Sequence, residues 1–427
     1  MARSITLILG GGLSSDLGPN FNLTADIGSV TPSTGTKTEL LAGKIVSVDD
    51  AATLVTITST GLCTNSITQS IPCVSTTTTT TTAYPPTSGQ SYYKVAVSRD
   101  DVNTSNDGKY VLIGKTGTNI LKISDNYGTG FRNVTMAFAS GGSCASVGVS
   151  GTGQYMYVVE TNTSAGKWIW RSQDYGVTWF KVPTFTSPRA WSSISVSRTG
   201  QYVMATATNV DEVYPGNDSA YWFQTSQYWL STTYGATFTR TNNAPDGSKY
   251  FIYGSAISSN GQTQLLVSPN SSTDFDGAAY VSTNSGATFT TKLVDGSVNN
   301  FDCAMSSNGA VQVIARSYGY FDAPALLNNT LLVKSSDSGA TWTTFGVTQK
   351  KWTNVAMDGT GNNLIVTTYD PGYIYRSTNL GTVTAVTGPG SRAWGDVAMS
   401  YTGYAYATEQ TGIWRSIDSG ASWTKLT

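Results

Sequence analysis

The sequence predicts an all-β protein: a small N-terminal β-domain, a Thr-rich tether and a large domain built from seven repeats. Three observations predict it. A motif with the template Ser-x-Asp-x-Gly-x-x-Trp occurs seven times between residues 124 and 423. A second signature, an apolar strand followed a few residues later by Gly, recurs in phase upstream of each copy. A run of seven threonines, Thr76–Thr82, marks an abrupt break in composition ahead of the repeats. Repeats of this length, each too small to bury its own apolar face, are the signature of stacked or circular repeat folds.

Residues 1–73 form the first unit. Ile5–Leu9, Lys44–Val48 and Leu54–Thr58 are β-rich runs separated by turn residues. Asp49–Ala52 suits a turn, and Thr38–Leu41 suits one short helical turn. The apolar run after Arg3 spans only about five residues, shorter than the core of a secretory signal, so it is taken as a strand. Cys63 and Cys73 flank a short loop. They are either a local disulfide closing a hairpin in an oxidising compartment or two small buried residues, and both readings stay open.

Residues 74–89 read Val-Ser, seven Thr, then Ala-Tyr-Pro-Pro-Thr-Ser-Gly. Nothing there buries enough apolar surface to offset ordering, which makes the segment an extended tether.

Residues 90–427 hold the repeats. The copies begin at Ser124, Ser172, Ser231, Ser282, Ser335, Ser377 and Ser416, about 39 to 59 residues apart. Upstream of them lie Val95–Ser98, Val147–Ser150, Ile194–Ser197, Ala256–Ser258, Ala304–Ser306, Val355–Met357 and Val397–Ser400, followed by Gly108, Gly153, Gly200, Gly261, Gly309, Gly361 and Gly403. The motif has a local physical explanation. Asp or Asn accepts backbone N–H bonds in a tight hairpin, Gly supplies a positive φ, and the closing aromatic covers the turn. Asp174, Asp337 and Asp418 keep the carboxylate, Asn126, Asn284 and Asn379 replace it with an amide, and Thr233 stands in the remaining copy. With Gly176, Gly339 and Gly420 these are structural positions. Cys144 and Cys303 fall in apolar strands far apart, as core thiols.

Composition removes several functions. There is no His, which excludes a Ser-His-Asp triad, His-ligated zinc and a His pH switch. Lys plus Arg is 25 and Asp plus Glu is 26, against a broad nucleic-acid or anionic-membrane surface. No stretch of about 20 apolar residues is present to insert into a membrane.

On these residues the repeat resembles the Asp-box, or BNR, repeat of sialidase-like β-propellers, over about residues 91–427. Similar repeats occur in sortilin-type receptors, photosystem assembly propellers and some glycoside hydrolases. The resemblance implies seven four-stranded blades around a channel, each blade continuous in sequence, with closure by packing of blade 1 against blade 7. The repeated motif would be the hairpin between the third and fourth strands. The loops between the second and third strands (2–3 loops) and the connections between blades would lie on the opposite face.

That opposite face carries the candidate binding residues. The interblade connections hold recurring basic and aromatic pairs: Arg189 with Trp191, Lys351 with Trp352 and Arg392 with Trp394, and similarly Lys249-Tyr250 and Tyr92-Tyr93-Lys94. At the channel mouth they would stack on sugar rings and bind hydroxyls or carboxylates, and the alternative is that the aromatics pack between blades. The 2–3 loops of blades 3, 4 and 5 are extended and bring Tyr214, Tyr221, Trp222, Phe275 and Tyr320 to one rim. Asp211, Asp274 and Asp276 offer hard oxygen ligands, but their spacing matches no calcium loop, so no metal and no cofactor are assigned. The arginine triad of sialidases is not matched: Arg171, Arg376 and Arg415 precede motif serines, on the wrong face.

The resulting expectation is a non-catalytic virion or cell-surface protein, of phage or viral type. Its propeller recognises a glycan or protein receptor while residues 1–73 join a larger assembly at the virion or extracellular surface. The alternatives are a scaffold or assembly propeller without a glycan ligand and a sialidase-like glycoside hydrolase.

Overall fold

The computed structural model divides the chain into two units, Met1–Tyr84 and Pro85–Thr427. It describes strand backbone within residues 2–70, and residues 93–426 except 98, 100–106, 116, 139–141, 162–167, 186–189, 209–225, 242–251, 253, 269–275, 297, 319–331, 347–349 and 369–370. The tether, Cys63, Cys73 and the Thr38–Leu41 turn lie outside the described residues.

In the first unit Ala2–Leu7 pairs antiparallel with Lys44–Asp49. A second sheet has the order Thr34–Thr36, Asn20–Ala25, Leu54–Ser59 and Ser66–Ser70.

The second unit consists of seven four-stranded antiparallel sheets, each continuous in sequence with its strands in chain order. The innermost strands are Tyr93–Val97, Ser143–Val149, Ala190–Val196, Gly254–Ile257, Val298–Met305, Trp352–Met357 and Trp394–Met399. The last blade ends at Thr424–Leu426, so no blade shares strands from both chain ends. Apolar cores form between successive blades. Tyr157, Val159 and Ile169 of blade 2, for example, pack with Trp191, Ile194 and Val203 of blade 3.

The repeated motif is the hairpin between the third and fourth strands, and its bonds follow its spelling. In blade 2, Ser172 Oγ donates to Asp174 Oδ1 (2.8 Å) and accepts from Gly176 N (2.9 Å). Asp174 Oδ1 also accepts from Thr178 N (2.9 Å), and Trp179 Nε1 caps the turn through Gly176 O (3.1 Å). Asp337 and Asp418 repeat the pattern. In blade 3, Thr233 Oγ1 accepts from Thr237 N (3.1 Å) in place of the carboxylate. The copy at Ser377 departs from the rest: positive φ falls on Asn379 and Leu380, one residue early.

These turns also join blades. The carbonyl of the positive-φ residue accepts a side-chain bond from the preceding blade in five of the seven turns. Arg415 Nη1 donates to Tyr127 O (2.7 Å), Arg132 Nη2 to Tyr175 O (2.8 Å) and Tyr157 Oη to Tyr234 O (2.8 Å). Lys334 Nζ donates to Leu380 O (2.9 Å) and Arg376 Nε to Ser419 O (2.8 Å). Arg376 and Arg415 are therefore structural staples.

A backbone belt runs around the axis just beyond the innermost strands. Gly151 N bonds Arg198 O, Arg198 N bonds Ser259 O, Ser259 N bonds Ser307 O, Ser307 N bonds Gly359 O and Gly359 N bonds Tyr401 O, at 2.8–3.0 Å. From blade 7 to blade 1 a side chain takes over. The buried Asp107 carboxylate accepts from Tyr401 N (2.7 Å), Thr402 N (2.8 Å), Ser400 Oγ (2.9 Å) and Thr402 Oγ1 (2.6 Å).

Candidate functional site

The inner strands leave a narrow axial cavity of about 190 Å³, lined by every blade. Its waist is built of small residues at one register position: Ala96, Gly148, Ser195, Ala256, Ala304, Ala356 and Ala398. On the side of the belt, Arg99 crosses from blade 1 and donates to Met305 O (3.2 Å) and Asp358 O (3.1 Å), laying a guanidinium over that end.

Two positions before the waist, toward the face of the 2–3 loops, the strands carry a polar collar: Lys94, Ser146, Ser193, Asp302, Asn354 and Asp396, with Gly254 in blade 4. The collar residues staple neighbours together. Asp396 Oδ2 accepts from Val95 N (3.1 Å), Asp302 Oδ2 from Val355 N (2.9 Å) and Ser146 Oγ from Ile194 N (3.3 Å). Ser193 and Ser255 share a hydrogen bond of 2.7 Å. Burial pushes the Asp302 carboxyl up to about 7, and the nearby Asp396 charge adds to the shift. Asp396 is also raised by burial, with the Lys94 charge opposing. The sequence carries a usable signal for this collar, since a polar residue stands ahead of each apolar inner strand except in blade 4. It reads there as ordinary strand alternation.

The expected channel-mouth residues separate into two groups. The indoles of Trp191, Trp352 and Trp394 are only 5%, 1% and 4% exposed. Trp191 lies edge-on to Phe185 (4.7 Å) and Trp352 to Tyr375 (5.1 Å). Trp394 lies edge-on to Trp414 (6.1 Å) and donates Nε1 to Gly372 O (2.9 Å). Their rings fill the cores between blades, because an indole at the start of an inner strand sits where two blades meet. Arg392 is half-exposed, salt-bridged to Glu409 (3.3 Å) and placed over the Trp414 ring (4.7 Å). Burial would raise the Glu409 carboxyl, but bonds from Trp414 and Lys425 and the Arg392 charge hold it below the usual range. Lys351 is partly exposed. Arg189, Tyr214, Tyr221, Trp222, Phe275 and Tyr320 lie outside the described residues.

What is described of the rim is its base. The connections between second and third strands run 17 residues in blade 3 (209–225), 8 in blade 4 (268–275) and 13 in blade 5 (319–331). In blades 1, 2, 6 and 7 they run 4, 7, 5 and 2 residues. Blades 4 and 5 also have prolonged strands on this face, with Asp276 opposite Gly296 and Val298 opposite Tyr318.

The larger unit is a seven-bladed β-propeller. Among solved structures it is similar to Kuenenia stuttgartiensis hydrazine synthase, with 12% identity and a TM-score of 0.53 over 78% of this chain and 94% of that one. It is also similar to a prolyl endopeptidase, with 12% identity and a TM-score of 0.53 over 79% of this chain and 49% of that one. YCF48 bound to a D1 peptide gives 12% identity and a TM-score of 0.49 over 76% and 92%. Likeness at such identities shows the fold alone. No family model and no curated protein matches the sequence.

Proposed function

We propose that this is a non-catalytic binding protein of a virion or cell surface. Its propeller holds a glycan or protein receptor on the face of the 2–3 connections, and residues 1–73 anchor it to a larger assembly. One observation carries the reading: the two longest connections, in blades 3 and 5, flank blade 4, and the strands of blades 4 and 5 are prolonged on the same face, so the lengthened elements share one sector. A rigid scaffold with lengthened loops in one sector is the usual construction of a binding surface. The sequence within those loops supplies Tyr214, Tyr221, Trp222, Phe275 and Tyr320, aromatic groups suited to stacking on sugars or filling a protein pocket. The salt bridge of Arg392 and the burial of Trp394 are the reason this reading takes the rim, rather than the channel mouth, as the principal contact.

The test is binding of the full chain to an oligosaccharide array and to receptor-bearing cells, beside Tyr221→Ala/Trp222→Ala. Saturable binding to receptor-bearing cells, or to a distinct subset of the oligosaccharides, that is lost in the variant with the thermal melt unchanged is the expected result. A folded chain that binds neither overturns the reading. Deleting residues 1–73 should leave binding intact and abolish incorporation into the assembly.

A further inference from the structure

The face of the repeated turns carries a second aromatic array, separate from the rim of long loops. The residue after the motif Asp or Asn has positive φ in most copies. Blades 4, 5 and 7 place Ser there (Ser285, Ser338, Ser419), whereas blades 1, 2 and 3 place Tyr127, Tyr175 and Tyr234, at φ 59, 59 and 56°. A bulky residue in this region is strained by roughly 1–2 kcal/mol, and the turn does not require it, since Ser serves in three sister copies.

Each of these tyrosines packs its ring against a tyrosine of the preceding blade, stacked at Tyr175 and tilted at Tyr127 and Tyr234. Tyr127 meets Tyr404 at 5.2 Å, Tyr175 meets Tyr110 at 5.0 Å and Tyr234 meets Tyr155 at 4.9 Å. The contacts bury Tyr110 and leave Tyr127, Tyr155 and Tyr404 partly covered, but Tyr175 remains 41% and Tyr234 38% exposed, and Val177 beside Tyr175 is 68% exposed. Cations flank the stacks, with Lys109 Nζ 5.2 Å from the Tyr110 ring and the Arg171 guanidinium 5.7 Å from the Tyr155 ring. Gln173, Thr178, Thr232 and Thr237 of the same two turns are exposed, with Thr178 and Thr237 bonded to Asp174 and Thr233.

We infer that the exposed rings of Tyr175 and Tyr234, on the adjacent blades 2 and 3 and backed by Tyr110 and Tyr155, form a second binding surface that takes a carbohydrate chain, its sugar rings laid on these two tyrosine faces. The arrangement suits a repeating ligand better than a protein. The two exposed ring faces lie on separate blades, with cations beside their partner rings, whereas the core of a protein interface is a contiguous apolar patch depleted of charge. Pre-stacked rings lose little conformational freedom on binding, which favours a weakly held, extended partner.

The experiment uses the full chain on an array of neutral and sialylated oligosaccharides. Tyr175→Ser/Tyr234→Ser removes the rings with a residue the sister turns already accept, and Val177→Lys obstructs the surface while leaving the stacks in place. Both should weaken oligosaccharide binding at least tenfold with the melt retained, and Tyr221→Ala/Trp222→Ala on the opposite face should leave this component unchanged. Undiminished binding in Val177→Lys, or in a folded double-serine variant, overturns the inference. So does a wild-type chain that retains no oligosaccharide. Loss of all glycan binding in the rim variant alone also overturns it and leaves the rim reading standing.

Discussion

Gly420 shows how closely single residues are specified. Its φ is +84°, and a Cβ added there would lie 2.5 Å from Ile365 Cγ2 of the neighbouring blade. Gly420→Val should therefore cost about 1–3 kcal/mol through backbone strain, more if Ile365 cannot move. Denaturant unfolding reads it, and an unchanged midpoint would contradict the turn geometry. Asp302 makes a prediction of opposite character. Its carboxyl titrates near 7 in the folded chain against an ordinary 3.8, so the folded state binds the extra proton. Stability from this group is fully present below about pH 4 and is lost as pH rises through about 7. Asp302→Asn should flatten that part of the stability–pH curve in chemical denaturation at matched ionic strength. The thiols of Cys144 and Cys303 behave as core groups, since both are buried and free and burial pushes Cys144 up to about 12. Neither should react with a thiol reagent in the native state at pH 8, whereas rapid modification would show that the blades open locally.

At the scale of elements, the junction between blades 7 and 1 differs from its neighbours. Five of the other blade steps in the belt are backbone bonds, but this one depends on Asp107. Asp107→Ala leaves the N–H groups of Tyr401 and Thr402 and two hydroxyls without their acceptor, at about 1–3 kcal/mol for the buried Ser400 hydroxyl and less at the exposed Thr402, where water substitutes. Hydrogen exchange should show protection lost first at Tyr401, Thr402 and Val95, and uniform loss around the ring would contradict a localised seam. Trp394 belongs to the core between blades 6 and 7. Trp394→Ala should cost about 3–5 kcal/mol, read as a lowered melting midpoint, in contrast to the rim aromatics, whose removal should leave the melt in place.

For the whole molecule, the seven blades are legible in the amino-acid sequence, because each turn is a local event spelled by Ser, Asp and Gly at fixed spacing. Blade continuity is legible too, from the first strand near Tyr93 and the last near Thr424. The candidate site is less so. Trp191, Trp352 and Trp394 look alike in sequence whether they face solvent or a neighbouring blade, since aromatic residues suit both places. The collar positions of Lys94, Asp302 and Asp396 are marked in the sequence by a polar residue ahead of the apolar inner strand, but their convergence is not, because they stand tens to hundreds of residues apart and meet only when the ring closes. The blade-to-blade staples escape it for the same reason: Arg415 and Tyr127 are 288 residues apart.

The sequence by itself determined the all-β class, the number of blades, the position of each turn and the sector bearing the long loops. These depend on local backbone chemistry and on counting. Only the tertiary structure decided which aromatic rings are buried, which carboxylates meet at the axis and how the last blade is joined to the first. Those outcomes depend on which distant strands become neighbours, and on the water that their meeting excludes.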